Sequence, residues 1–219
     1  MSPKMRSARR PLGVFALLVL VSAFLSGCYL PMRYDVEIEI TRTGHYKMIF
    51  DGYMVKVDLY NDLRQNKLTP TQEREEVAKM EREFAADKNA SDFSYLRKGY
   101  FKVHWEREGD LLQSRTVSFV RKTKSHLVVQ LAYNKRSGRI GMTGRSLQRK
   151  QRRQLNEIGL GGTNGEIRVI SDLPMVSNNA TKTVKNRSRG PGFKTYIWKV
   201  KNIFSPTPSV IFAIHGPRS

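Results

Sequence analysis

A regular alternation of apolar and polar residues near the start of the chain constrains its fold more than any other feature. In residues 34–41 every second side chain is apolar, which is typical of a strand that is buried on one face. Arg42-Thr43-Gly44 follows as a turn, and residues 45–50 have the composition of a return strand. The sequence therefore predicts an antiparallel hairpin whose one face lies in the core.

The region after this hairpin predicts two helices. Residues 53–65 fit a strand by alternation and a helix by the spacing of their apolar side chains, and the helix is favoured. Thr69 directly before Pro70 is a good helix start, because a threonine can cap the first turn and proline suits the first helical position. Residues 70–87 are therefore predicted to form a second helix.

The second half of the chain returns to strand-like runs. The predicted strands are residues 100–106, 111–120, 125–133, 166–171, 194–200 and 209–214. Residues 144–158 are basic with few apolar positions and predict a short exposed helix, while the polar residues 177–192 predict a long loop. The predicted fold class is α+β: a mostly antiparallel sheet with two helices inserted after the first hairpin and a short basic helix later.

Residues 1–27 predict a secretory signal peptide. Four basic residues precede an uncharged apolar stretch, residues 11–25, which is shorter than the roughly 20 residues of a membrane-spanning helix. Leu25-Ser26-Gly27-Cys28 closes this leader. The alternative is an uncleaved anchor with an incidental thiol, and it fits the length and the cysteine position less well. The predicted organisation is a leader, 1–27, followed by a single domain, 28–219.

The lipid anchor is implied by a resemblance. Leu-Ser-Gly-Cys is similar to the lipobox of bacterial lipoproteins, in which the cysteine receives diacylglycerol and, after cleavage, an acyl chain such as palmitate. Cys28 is the only cysteine of the chain, which suits an anchor and rules out an intramolecular disulfide. Tyr29, rather than aspartate, follows it, which in Gram-negative lipoproteins resembles sorting to the periplasmic face of the outer membrane.

The positive charge of the chain is unevenly distributed. With four of the 39 basic residues in the leader, the domain carries 35 basic and 19 acidic side chains, a net charge of +16. Residues 28–87 have a net charge of −3, residues 88–153 of +13 and residues 154–219 of +6. Contact with an anionic partner is therefore expected in the middle of the chain.

The densest basic run lies within this middle segment. It consists of Arg145, Arg149, Lys150, Arg152 and Arg153, with Lys135, Arg136 and Arg139 just upstream. In a helix, most of the run falls within one broad face. This face either keeps the domain solvated or contacts an anionic lipid or envelope polymer. Nucleic acid would match the charge, but the export signal argues against it.

The sequence offers no catalytic residue, metal site or cofactor site. The four histidines do not stand at metal-ligand spacing, and no nucleophile motif is present. The glycine-rich residues 159–165 lie between a predicted helix and a strand, which is the wrong order for a nucleotide-binding loop. An enzyme could arise only if His104 or His126 met carboxylates from distant parts of the chain.

Several segments together resemble uncharacterised bacterial envelope lipoproteins and, more loosely, the LppM-type lipoprotein domain. They are Asn66-Lys-Leu-Thr-Pro-Thr-Gln-Glu73 and residues 100–105, then residues 168–180, the run Tyr196-Ile-Trp198-Lys and Thr207-Pro208. The resemblance implies a lipid-anchored α+β sheet domain and, for the LppM type, contact with envelope glycolipids. It carries over no catalytic residue, and Trp198 and Asn179 fit packing and turn roles as well as they fit a functional role.

Three functions follow from these observations. The first is a non-enzymatic, lipid-anchored domain that binds an anionic lipid or envelope polymer through the residues of the basic run. The second is an accessory subunit of an envelope complex that docks on another protein. The third, and least favoured, is an enzyme with a site assembled from distant residues.

Overall fold

The computed structural model describes residues 29–119, 129–144 and 147–214. The strands within these ranges are β1 (Tyr29–Ile40), β2 (His45–Lys56), β3 (Ala90–Arg97), β4 (Tyr100–Asp110), β5 (Thr116–Ser118), β6 (Val129–Asn134), β7 (Arg139–Gly144), β8 (Asn164–Ser171), β9 (Met175–Asn178), β10 (Lys182–Lys185), β11 (Lys194–Val200) and β12 (Ser209–Ala213). The helices are α1 (Val57–Arg64), α2 (Pro70–Ala85), α3 (Leu111–Ser114) and α4 (Arg149–Glu157), and a 3-10 turn spans Arg187–Arg189.

These strands form two sheets. The larger sheet has seven strands in the order β10-β11-β8-β1-β2-β4-β3, and the smaller has five in the order β5-β6-β7-β12-β9. β1 and β8 run parallel, and every other neighbouring pair of these strands is antiparallel. The predicted hairpin is β1–β2, with Ile38 opposite Met48, and its alternation buries every second residue as expected.

One face of the large sheet, the inner face, is covered by two different elements. The small sheet packs on part of it, with the rings of Phe50 and Phe119 stacked at 4.1 Å between centroids. Helix α2 packs beside β3, where the rings of Phe84 and Phe93 stack at 3.8 Å. Burial of these aromatic side chains supplies much of the hydrophobic stabilisation of the fold.

The opposite face of the large sheet, the outer face, is covered near the beginning of β1. A second, smaller core lies there and joins the sheet to α4 and to the loops around it. Its buried members are Leu30, Val55, Val57, Leu155, Leu160 and Ile203. This cluster fixes the position of α4, because Leu155 is the buried residue of that helix.

The α+β prediction is wrong, since the chain is mostly β. Strands account for 49% of the described residues, in two sheets, and the helices are four short ones. The sequence interpretation gave one sheet because alternation reveals that a strand is half-buried without revealing which sheet it joins. The predicted loop, residues 177–192, contains β10 and the end of β9, since strands of four mostly exposed residues carry no buried alternation.

The helix predictions hold in part. Two helices follow the first hairpin, and α2 begins where predicted, with the backbone N–H of Gln72 donating to Thr69 Oγ1 at 3.3 Å. Residues 53–56 continue β2 instead of opening a helix, and α1 starts at Val57. The short basic helix is α4.

Candidate functional site

The end of the large sheet at which β1 begins, the Tyr29 end, gathers the candidate site. β1 and β8 start there, β2 ends there, and the tight turn between β3 and β4 lies there. Tyr29 pairs with Lys56, and Tyr29 and Leu30 are only 5% and 8% exposed. Cys28 and the leader lie outside the described residues. Because Tyr29 is already part of the sheet, a group attached to Cys28 is one residue from the folded domain.

Helix α4 brings most of the predicted basic run to this end. Leu155 packs in the same cluster as Leu30, while Arg149, Lys150 and Arg153 are exposed. At about 100° per residue, these three cations centre on the side of the helix opposite Leu155. Three residues of the basic run, Arg149, Lys150 and Arg153, therefore form an exposed cationic face on this helix.

Two members of the predicted run do not belong to this exposed face. Arg152 is half-buried on the flank of the helix, and its Nε donates to the carbonyl oxygen of Leu147 at 3.0 Å. Arg152 therefore holds the start of α4 in place. Arg145 lies outside the described residues.

The upstream cations Lys135, Arg136 and Arg139 are placed away from α4. They are exposed at the turn between β6 and β7, whereas Gly144, at the other end of β7, lines a small cavity with Tyr29 and Leu30. Five residue steps along a strand span about 17 Å. The strongly basic middle segment is thus divided between the two ends of the molecule.

A groove that sequence reasoning missed opens at the Tyr29 end, beside the second core. It has a volume of about 680 Å³, and we call it the tyrosine groove. Its walls are Met32, Arg33, Tyr53, Tyr60, Leu96, Arg97, Lys98 and Tyr100, with Gly162 and Asn164 at the margin. None of these described lining residues is acidic. Six helices and strands contribute to it, so no local sequence signal could have revealed it.

Close backbone packing shapes one side of the groove. β1 bulges between Pro31 and Tyr34, and Gly52 of β2 lies against this bulge. A Cβ atom on Gly52 would stand 2.3 Å from the carbonyl oxygen of Arg33. Only glycine lets the two strands approach so closely, and this approach places Arg33 at the groove.

The turn between β3 and β4 shapes the other side. Lys98 and Gly99 both have positive φ angles, 51° and 76°, as a tight hairpin turn requires. The turn is docked on the start of α1, because the N–H of Lys56 donates to the carbonyl oxygen of Gly99 at 2.9 Å. This contact fixes the position from which Arg97 and Lys98 project.

The tyrosines join the groove to helix α4. Tyr60 and Tyr100 meet edge to face at 6.0 Å between centroids, and the hydroxyl of Tyr60 donates to the carbonyl oxygen of Ile158 at 3.2 Å. Burial, with Tyr60 nearby, raises the pKa of Tyr100, although Arg33 acts in the opposite direction. Tyr100 therefore keeps its proton at neutral pH and remains a hydrogen-bond donor.

Neither histidine that the sequence offered for an enzyme is among the described residues that line the tyrosine groove. His104 is on the outer face of the large sheet, with Nδ1 3.6 Å from Asp51 and about a third of its side chain exposed. His126 lies outside the described residues. Within the described ranges no group of three or more His, Cys, Asp or Glu side chains could hold a metal ion. In the same ranges no helix has the length and hydropathy of a membrane-spanning segment.

Asn179 and Trp198 have a packing role. Trp198 is buried, and its Nε1 donates to Asn179 Oδ1 at 2.7 Å, while the N–H of Ser209 donates to the same oxygen at 2.8 Å. Because Trp198 is in β11 and Ser209 opens β12, Asn179 ties the two sheets together. The glycine-rich residues 159–165 connect α4 to β8, in the order that the sequence indicated.

No protein-family model and no curated protein matches the chain. Among solved structures, the NMR structure of the folded domain of Mycobacterium tuberculosis LppM is similar, over 87% of this chain and 94% of that one. The sequence identity is 11% and the TM-score is 0.39. The LppM domain is thus a structural neighbour, as the sequence segments predicted, and neither fold nor function is transferred from it at these values.

Proposed function

We propose that this protein is a lipid-anchored, non-enzymatic domain of the bacterial cell envelope that binds an anionic membrane surface with its Tyr29 end. Cleavage after Gly27 and acylation of Cys28 provide the anchor, on the periplasmic face of the outer membrane in a Gram-negative cell. The observation that carries the proposal is that Leu155 of α4 and Leu30 of β1 belong to the same buried apolar cluster. It holds the cationic helix α4 beside the point where the anchor leaves the domain.

The short distance between anchor and fold favours this arrangement. Tyr29 is a buried strand residue, so no linker separates the domain from acyl chains on Cys28. Each cation near an anionic lipid surface contributes about 1 kcal/mol, which makes the three exposed cations of α4 enough to orient a tethered domain.

The charge pattern of α4 gives a second reason. Arg149 and Lys150 stand in the first turn, which contains no acidic residue, although the helix dipole favours negative charge there. The helix forms because Leu155 packs in the second core, in spite of this local conflict. Conflicts of this kind are expected where residues serve binding at some expense of stability.

Metabolic labelling tests the anchor. Cells that produce the full chain are grown with radioactive palmitate, and the protein is recovered and counted. We expect label on the wild-type protein and none on Cys28→Ala, because the cysteine sulfur and the new amine carry the acyl chains. Label that remains on Cys28→Ala would contradict lipidation at this residue.

Vesicle flotation tests the surface. The chain from residue 28 onward with Cys28→Ser keeps the core described above and is mixed with vesicles of phosphatidylcholine, with or without phosphatidylglycerol. We expect binding only to the anionic vesicles, and weaker binding at high salt. Reversal of three charges, Arg149→Glu, Lys150→Glu and Arg153→Glu, should weaken binding by about 100-fold or more.

The matched control reverses three exposed cations at the turn between β6 and β7. The variant Lys135→Glu, Arg136→Glu and Arg139→Glu changes the net charge by the same amount and should bind almost as well as the parent chain. An equal loss in both variants would mean that only net charge matters and would refute the assignment to the Tyr29 end. Binding that resists salt would equally contradict an electrostatic contact.

A further inference from the structure

We propose that the tyrosine groove binds the phosphate-bearing headgroup of a single lipid molecule. This inference rests on the proposed function, because the groove must face a membrane to meet its ligand there. It goes further in assigning a specific site and a chemical class, whereas α4 contributes only a general attraction to negative charge. The carrying observation is that cations and tyrosines from separate elements converge on one concave surface whose lining residues include no acidic side chain.

The cations of the groove suit a phosphate. Arg33 comes from β1, Arg97 ends β3, and Lys98 begins the following turn, and all three are exposed. None forms an ion pair with a carboxylate in the described ranges. Two arginines can each offer paired N–H donors to phosphate oxygens, and a lysine adds a point charge. An unpaired set of this kind is open for an anion.

The apolar part of the groove favours a lipid over free phosphate. Tyr53 is 36% exposed and Leu96 is 49% exposed, both large side chains at the open surface. Tyrosine is favoured at membrane interfaces, where its ring meets apolar groups and its hydroxyl meets water. Leu96 lies directly before Arg97, so an apolar side chain and a phosphate ligand stand together. A headgroup with its glycerol and first methylenes offers both contacts, and inorganic phosphate offers one.

The hydroxyl groups add polar contacts for the headgroup. The phenol of Tyr100 is protonated at neutral pH, so it can donate to a phosphate or hydroxyl oxygen. Tyr60 already donates to Ile158, and its hydroxyl oxygen can still accept a hydrogen bond. The link through Ile158 also means that the groove and α4 face the membrane as one unit.

Tyrosine-ring NMR tests the site with soluble probes. The chain from residue 28 onward, with Cys28→Ser and isotope-labelled tyrosine, is titrated with sn-glycerol 3-phosphate, inorganic phosphate and glycerol. Tyr53→Phe and Tyr100→Phe identify the relevant ring signals. We expect saturable shifts of the groove tyrosines with glycerol 3-phosphate, weaker ones with inorganic phosphate and none with glycerol.

A variant that removes two positive charges from the groove, together with its control, tests whether the groove binds glycerol 3-phosphate. Arg33→Gln with Arg97→Gln should weaken glycerol 3-phosphate binding by at least tenfold, while Lys135→Gln with Arg136→Gln should leave it unchanged. Both pairs are exposed, and the dispersion of the NMR spectrum verifies that each variant is folded. Unchanged binding in the groove variant, or no shift of the groove tyrosines in the parent chain, would overturn the proposal.

The probes also separate this proposal from the proposed function. Glycerol 3-phosphate needs no membrane, so its binding can succeed when vesicle binding fails, and the reverse. Equal affinity for inorganic phosphate would overturn the headgroup assignment and identify a site for free phosphate. The parent chain could bind anionic vesicles, lose that binding in the α4 variant, and yet show no binding of glycerol 3-phosphate. That result would refute the groove proposal and leave the proposed function intact.

Discussion

The outer face of the large sheet differs sharply between its middle and its Tyr29 end. In the middle, cations alternate with carboxylates and pair with them: Lys47 Nζ lies 2.7 Å from Glu106 and Lys102 Nζ lies 3.2 Å from Asp92. Arg168 reaches Glu166 in the same way, at 2.9 Å. At the Tyr29 end the tyrosine groove and α4 present cations for which no described carboxylate serves as partner. The large sheet therefore has ion-paired cations in the middle of its outer face and unpaired cations at its Tyr29 end.

This difference shows that the net charge of a segment is a poor guide to where binding occurs. The middle segment of the chain contributes Lys102 to a surface ion pair and Lys135 to the far turn, as well as Arg97 and Arg149 to the Tyr29 end. Exposed pairs contribute little to stability and leave little charge for a partner. What matters for an anionic ligand is which cations the fold leaves together and unpaired.

A change at the bulge that places Arg33 at the groove should have the greatest effect on both stability and binding. In Gly52→Ala the new Cβ atom would meet the backbone of Arg33 and Tyr34, at 2.3 and 2.6 Å, so the strands must move apart. We expect a loss of about 3 kcal/mol in the free energy of unfolding, measured by urea denaturation, together with loss of glycerol 3-phosphate binding.

Gly141→Ala provides the matched control for this prediction. Gly141 is also a strand residue, but a Cβ atom there would find nothing within 4 Å. Its substitution should change the unfolding free energy by less than about 1 kcal/mol, because only the backbone preference of glycine is altered. If both variants lost the same stability, close packing at the bulge would not be what Gly52 provides.

The parts of this fold that the sequence could predict are those encoded by neighbouring residues. Alternation in residues 34–41 identified the β1–β2 hairpin, and Thr69 before Pro70 marked the start of α2. The division of strands between two sheets depends instead on contacts such as Phe50 with Phe119, which are distant in the chain. The expectation of a single sheet failed for that reason, since no local pattern states which strands share a sheet.

The candidate site follows the same rule. The basic helix was predictable because its cations are consecutive, although the hydrogen bond that removes Arg152 from the exposed face was not. The tyrosine groove was not predictable, since Arg33, Tyr53 and Arg97 stand far apart in sequence and converge only through the bulge and the hairpin turn. A site assembled across strands becomes visible only with the fold.

A double substitution in the middle of the outer face should have the least effect on binding. Lys47→Gln with Lys102→Gln removes two cations from the outer face, and each of them is already neutralised by a carboxylate. We expect binding to phosphatidylglycerol vesicles to change by less than about twofold, since paired charges offer little to a new anion.

Arg33→Gln with Arg97→Gln removes the same number of charges from the groove and should weaken that binding by about 30-fold, from roughly 1 kcal/mol for each cation. Flotation of the two variants side by side measures the ratio directly. Similar losses in both would show that the membrane responds to total charge, and the distinction between paired and open cations would then have no functional meaning.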